Sequence, residues 1–197
     1  MQPKQDDKIR WNTRYSAGSH SDSLPDEFLV SAFEKFLSAK PPGRALDVAG
    51  GAGRNALWLA ERRWRVKLID LSDVAALLAE QRARELKSGS LTTEVRDISA
   101  RPDLGDEQFE LIIVFYFLDR QLFPALIRAI KPGGFLIYRT YTVDQLRFGA
   151  GPSDPRYLLE LNELREAFKS LQILHYRESV TDKATAELVA RKALTPE

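Results

Sequence analysis

Leu46-Asp47-Val48-Ala49-Gly50-Gly51-Ala52-Gly53-Arg54-Asn55-Ala56 is the stretch on which the fold turns. An apolar run, Ala45 to Ala49, leads into it, and a helix-like segment at about 54 to 62 leads out. The glycines therefore fall at a strand-to-helix turn. Glycine allows a tight bend and lets a ligand approach bare backbone, while the first turn of the helix offers free N–H groups. Asp70 ends the next apolar run, Val66-Lys67-Leu68-Ile69-Asp70, where a carboxylate suits the two hydroxyls of a ribose. A ligand-free turn is the plain alternative, and the later acid argues against it.

Short apolar runs continue to alternate with longer amphipathic stretches. Further runs are Leu91 to Val95, Leu111 to Phe117 and Phe135 to Tyr141, with helical patterns at about 73 to 88 and 120 to 131. Such alternation predicts parallel strands covered on both faces, and right-handed crossovers make the sheet doubly wound. The last third differs. Tyr157 to Phe168 reads as a helix, and the runs Leu171 to Val180 and Thr185 to Leu194 are separated by Thr181-Asp182-Lys183-Ala184 alone. That gap is too short for a crossover, so an antiparallel hairpin is expected. Upstream, residues 1 to 24 read as a polar, irregular arm with the knot Trp11-Asn12-Thr13-Arg14-Tyr15. A first helix is expected to begin near Ser23 to Pro25, so residues 25–197 form the expected single domain.

Composition excludes several functions. With 29 Lys plus Arg against 28 Asp plus Glu, the net charge is +1, which provides no field for nucleic acid or an anionic membrane. No cysteine is present, so disulfides, thiolate metal ligands and a cysteine nucleophile are ruled out. His20 and His175 are the only histidines, too few for a histidine-rich metal site, and no metal is expected. The N-terminal residues lack the apolar run of a signal peptide, and Leu111 to Leu118 is too short to span a bilayer. A cytoplasmic protein is the default expectation. The residues do not reveal the oligomeric state, with a monomer as the default.

Two ligand classes fit the turn. Gly51-x-Gly53-x-x-Ala56 satisfies a dinucleotide fingerprint, which would suit a nicotinamide cofactor and an NAD(P)-dependent oxidoreductase. Three features favour S-adenosylmethionine (SAM). Asp47 lies inside the first strand, placed to hold the methionine ammonium. Asp97 follows the third strand in Val95-Arg96-Asp97-Ile98, placed to accept from the adenine amino group. The chain also ends soon after one sheet, leaving little room for a dehydrogenase substrate domain.

The combination Asp47-x-x-x-Gly51-x-Gly53, Asp70, Asp97 and Lys131-Pro132-Gly133-Gly134 resembles the class I SAM-dependent methyltransferases, from about residue 11 to the C-terminus. The resemblance implies a three-layer α/β Rossmann-like fold, a doubly wound seven-stranded sheet of order 3-2-1-4-5-7-6 with strand 7 antiparallel. A narrower similarity to small tellurite-resistance-like and thiol-methylating members rests on Trp11-Asn12-x-Arg14-Tyr15, Gly53-Arg54-Asn55, Tyr116-Phe117-Leu118-Asp119-Arg120 and Tyr157-Leu158-Leu159 with Glu163-Leu164. The implied cofactor-binding set is Trp11, Arg14, Tyr15, Asp47, Ala49, Gly50, Gly51, Gly53, Arg54, Asn55, Asp70, Leu71, Asp97, Ile98 and Phe115. In it, Gly51 and Gly53 contact the methionine part, Asp70 the ribose, and Asp97 with Ile98 the adenine. Arg14 would pair with the methionine carboxylate in two-point geometry. Ala49 replaces the usual first glycine, expected at negative φ, and Trp64 stands where a glycine commonly precedes the second strand.

No catalytic residue stands out. Tyr116, His20 and His175 are candidates for a base, although methyl transfer from a sulfonium mainly needs an aligned nucleophile. The loop Phe148 to Pro155 reads as a lid or a plain surface loop, and Arg62-Arg63-x-Arg65-x-Lys67 as a solvated helix end. The expected activity is methyl transfer to a small-molecule acceptor, a thiol or other soft nucleophile. A SAM-binding module without catalysis is the further alternative.

Overall fold

A computed structural model describes residues 3–18 and 23–194. Seven strands hydrogen-bond in the order β3-β2-β1-β4-β5-β7-β6. They are β1 (Arg44–Val48), β2 (Arg65–Asp70), β3 (Ser90–Val95), β4 (Phe109–Phe115), β5 (Ile130–Tyr141), β6 (Gln172–Val180) and β7 (Ala184–Arg191). This is the order that the resemblance implied, including the antiparallel strand β7. The chain divides into two compact units, Met1–Arg101 and Pro102–Glu197.

In the first unit β1, β2 and β3 pair in parallel, with Asp47 opposite Leu68 and Asp70 opposite Val95. Helices α3 (Arg54–Glu61) and α4 (Asp73–Ala83) follow β1 and β2. Ser72 caps α4 by accepting from Ala75 N at 3.1 Å. Helix α2 (Glu27–Phe36) begins later than expected. The physical reason is Asp26, whose carboxylate accepts from Phe28 N at 3.0 Å while its own N–H donates to Asn55 Oδ1 at 2.8 Å. A buried capping acid outweighs the serine-proline signal at Ser23 to Pro25.

The arm is not irregular: Pro3–Ser16 forms helix α1. No glycine or proline interrupts Lys4 to Ser16, and Trp11 and Tyr15 come together one turn apart, ring centroids 6.1 Å apart. An isolated helix of this length is marginal in water. Asn12 anchors it, donating to Asp73 Oδ1 and accepting from Ser72 Oγ, both at 2.6 Å, and Lys8 pairs with Asp73 at 3.1 Å. Before β2, Arg63 takes the left-handed turn at φ 68°, and Trp64 is buried with its ring edge-on to Phe33.

In the second unit β4 and β5 are parallel, and β5, β7 and β6 are antiparallel neighbours. Lys131 to Gly134 do not precede β5 but interrupt its pairing: Phe109 faces Ile130, and the next pair is Leu111 with Phe135. Gly133 at φ 77° makes the outward step possible. The helix expected over 120–131 is a 3-10 turn, Arg120–Leu122, followed by α5 (Phe123–Ala129). The helix expected over 157–168 shrinks to a 3-10 turn at Pro155–Tyr157 and α6 (Glu163–Ala167). Two leucines explain the change. Leu158 and Leu159 are fully buried, and Leu159 N donates to Tyr141 O while its carbonyl accepts from Val143 N, both at 2.9 Å.

Candidate functional site

The first unit builds its site mainly from backbone. Ala49, Gly51 and Gly53 all lie at positive φ (54°, 56° and 82°), so every second residue of the turn is left-handed. For Ala49 this reverses the expectation of a negative φ, and an L-residue there carries a strain of about 1 kcal/mol. Gly50 has no room for a side chain: a Cβ would lie 2.7 Å from Asp47 Cγ and 2.8 Å from Leu68 Cγ. At Gly51 the Tyr15 hydroxyl occupies the space a Cβ would need, and at Gly53 the obstacle is Ala79 Cβ at 2.9 Å. Gly53 N donates to Gly50 O at 3.0 Å, closing the turn into α3.

Two acids flank this bare backbone. Asp70 accepts from Gly51 N and Ser72 N, both at 2.8 Å. A carboxylate has about four lone-pair positions, so both oxygens retain capacity for ribose hydroxyls. Burial raises the Asp70 pKa, and the N–H groups of Ser72, Gly51 and Leu71 oppose that rise. Asp47 is 1% exposed, and its Oδ2 has no hydrogen-bond partner. Burial, reinforced by the charge of Asp70, pushes its pKa up to about 8 against the pull of Arg54. Tyr15 is pushed above its ordinary range by burial and then by Asp70 and Asp47. A buried carboxyl oxygen without a partner is costly unless a donor or cation arrives. Together with a turn where no Cβ fits, it matches a ligand carrying an ammonium and a ribose.

The structure places the other expected residues less evenly. Trp11 lies on α1 beside Tyr15, and Arg14 is exposed with its guanidinium 5.0 Å from the Trp11 ring. Asn55 commits its side-chain oxygen to Asp26 N, and Arg54 lies 3.7 Å from Asp26 Oδ2. Asp97 accepts from Ala100 N at 3.1 Å, capping its own turn, beside the buried Ile98. His20 lies outside the described residues. Asn12 and its partner Ser72 were not foreseen, because their contact spans 60 positions.

The second unit carries a different cluster at the end of β4. Phe115 ends that strand in the core, and Tyr116 follows at φ 56°. A bulky residue in that conformation costs about 1–3 kcal/mol and persists where its surroundings over-determine it. Here Tyr116 N donates to Arg139 O at 2.8 Å, and Tyr138 Oη donates to Phe117 O at 3.0 Å. Arg120 then ties the segment down through Glu163, Arg156 O and Leu158 O. Lys183 Nζ donates to Tyr116 Oη at 3.1 Å, and the Tyr141 ring lies 5.2 Å from the Tyr116 ring. Deeper in the sheet, Glu187 is 3% exposed and takes Arg177 at 3.0 Å, Arg139 at 3.4 Å and His175 at 3.8 Å. Of these, only Tyr116 and His175 were catalytic candidates. Glu187 leaves no sequence signal beyond its place in an otherwise apolar run.

Residues 45–134 match the family model described as a methyltransferase domain. That segment holds the glycine turn, Asp47, Asp70 and Asp97. No curated protein sequence matches the chain. Among solved structures, TehB from Haemophilus influenzae superposes with a TM-score of 0.72 at 21% identity, over 91% of this chain and 66% of that one. A SAM-dependent methyltransferase from Methanosarcina mazei gives 0.66 at 20% identity, over 87% of this chain and 100% of that one. Magnesium protoporphyrin IX methyltransferase (ChlM) from Synechocystis PCC 6803 with bound SAM gives 0.72 at 14% identity, over 98% of each chain. These structural likenesses speak for the fold, and the domain match speaks for the chemistry. Residues 45–134 are thus similar to a methyltransferase domain, and the sheet that holds them has the Rossmann-like order of the solved SAM-dependent methyltransferase from Methanosarcina mazei. Among the described residues no helix is long and apolar enough to cross a membrane.

Proposed function

We propose that this methyltransferase acts on a small molecule whose reacting atom is a soft nucleophile such as a thiolate. When bound, SAM supplies an electrophilic methyl group on a sulfonium that is already a good leaving group. Asp47 would hold the ammonium, Asp70 the ribose, the 50–53 backbone the methionine part, and Asp97 with Ile98 the adenine edge. The single observation behind this assignment is the buried Asp47 Oδ2 without a partner, beside a turn where side chains do not fit. The soft-nucleophile reading draws on the similarity of Trp11-Asn12-x-Arg14-Tyr15 and Tyr116-Phe117-Leu118-Asp119-Arg120 to thiol-methylating members. No charge relay or carboxylate pair is needed, because orientation and desolvation do most of the work.

Calorimetry with SAM tests the donor assignment. Asp70→Ala removes a charged hydrogen-bond acceptor, typically about 1.5–3 kcal/mol, and should weaken SAM binding by about ten- to a hundredfold. Unchanged affinity would overturn the role of Asp70, and tighter binding of NAD(H) than of SAM by the unsubstituted protein would overturn the donor.

A further inference from the structure

The basic run that begins at Arg62 and Arg63 takes no part in the donor site, and it borders a cleft of about 450 Å³. The cleft lies wholly within the first unit, where α2 has ended and where β1 and β2 are about to begin. The glycine turn stands at the other end of β1, roughly 16 Å away along a five-residue strand.

Arg63 stands out on this lining because the chain holds it at a cost. Helix α3 closes with Trp64 N donating to Leu59 O at 3.2 Å and, inside that bond, Arg63 N donating to Ala60 O at 2.9 Å. This closure needs a left-handed residue just past the helix, and Arg63 supplies it at φ 68°. Glycine takes that conformation freely, whereas an L-side chain is strained in it. Serving the helix end does not explain the choice. Arg62 already does so: its Nη1 donates to Trp58 O at 3.1 Å, and its guanidinium lies 3.6 Å from the Trp58 ring centroid. Arg63 is exposed, and among the described residues no acid lies within ion-pair distance of it or of Lys40. Backbone strain that the fold does not need points to a task for the side chain.

The surrounding cleft suits a phosphate. Three cations, Lys40, Arg62 and Arg63, line it against two acids, Glu34 and Glu61, so one positive charge is in surplus. Stacking on Trp58 fixes the Arg62 guanidinium, and a planar fork held in place favours an oxyanion. The apolar wall is fixed as well. Phe33 meets Trp58 edge-on at 5.2 Å and Trp64 at 6.3 Å, beside Pro42.

We infer that this cleft binds the phosphate group of a small molecule, held by Arg63, Lys40 and Arg62. The site is separate from the donor turn and stands whatever the methyl donor is. Its occupant is free phosphate or a phosphate ester, and the apolar part of an ester would rest on Phe33 and Pro42.

The test is calorimetry on the full chain with inorganic phosphate and with phenyl phosphate, at an ionic strength held constant with sodium chloride. One site is expected in the unsubstituted protein. Arg63→Gly should weaken binding at least tenfold, and Lys40→Met at least threefold. Arg84→Gln removes the same charge from an exposed position off the lining and should change the affinity less than twofold. Because glycine relieves the left-handed strain, Arg63→Gly should also melt about 2–4 °C above the unsubstituted protein when phosphate is absent. A variant that folds better and binds worse is what this site requires. No binding of either probe by the unsubstituted protein, undiminished binding by Arg63→Gly, an equal loss in Arg84→Gln, or a lower melting temperature of Arg63→Gly would each overturn it. Tighter binding of phenyl phosphate identifies an ester as the occupant, and equal binding identifies free phosphate.

Discussion

The two units gather opposite charge. Residues of the first unit surround a glycine turn with acids, Asp47 and Asp70, and let backbone do the contacting. In the second unit Arg139 and Lys183 lie by the ring of Tyr116, which meets Tyr141, and the buried Glu187 takes up Arg139 and Arg177. The first gathers negative charge around bare backbone, and the second gathers positive charge around an aromatic ring. The contrast shows why one site stands in a contiguous stretch of sequence while the other is scattered over β4, β5, β6 and β7.

The heaviest blow to this contrast falls on Glu187. Removing it takes the buried carboxylate away from Arg139, which is 14% exposed, and breaking a buried ion pair costs about 3 kcal/mol. Glu187→Ala should therefore lower the midpoint of chemical denaturation by about that free energy. An unchanged midpoint would show that the second unit does not depend on its acid.

A middle-sized effect concerns Asp47. In the protein its carboxyl keeps its proton up to about pH 8, whereas an exposed aspartate gives it up near the ordinary 3.8. The folded state then binds the extra proton between those values, so the contribution of Asp47 to stability is lost as pH rises through that window. An arriving ammonium reverses the preference, so SAM binding should release a proton near neutral pH and tighten as pH approaches 8. Calorimetry in buffers of different ionisation heat counts that proton. Asp47→Asn should abolish the release, flatten the stability slope and weaken binding by about tenfold. A persistent proton release in that variant would assign it to another group, Tyr15 or Asp70 being the nearest.

The smallest effect sharpens the picture of the turn. Ala49 is left-handed, so Ala49→Gly relieves strain and should raise stability by about 0.5–1 kcal/mol, measured by denaturation. A loss of stability would mean that the methyl group of Ala49 packs usefully.

These residues also show what the amino-acid order reveals. Asp47, the glycines and Asp70 were legible because a strand, a turn and the next strand end are set by local periodicity and glycine placement. The doubly wound parallel sheet followed from the alternation of runs and the closing hairpin from the short link between β6 and β7, while the strand order came from the family resemblance. The cap at Asp26 and the shortened α6 were not legible, since they depend on Asn55 and on the burial of Leu158 and Leu159. Arg139 could not be assigned a face from its neighbours alone. Its partner Glu187 is set by the register of β5 on β7, which no local pattern encodes. For the same reason α1 was missed: its polar residues become a docked helix only through Ser72 and Asp73.

That docking carries a consequence for biosynthesis. Asn12 emerges from the ribosome 60 residues before Ser72, the group that holds it. The segment over the glycine turn is thus made early and seated late, after β1 and β2 have emerged. During that interval a polar helix too short to persist alone waits as an open coil, so slow translation between the two should leave it exposed to proteases.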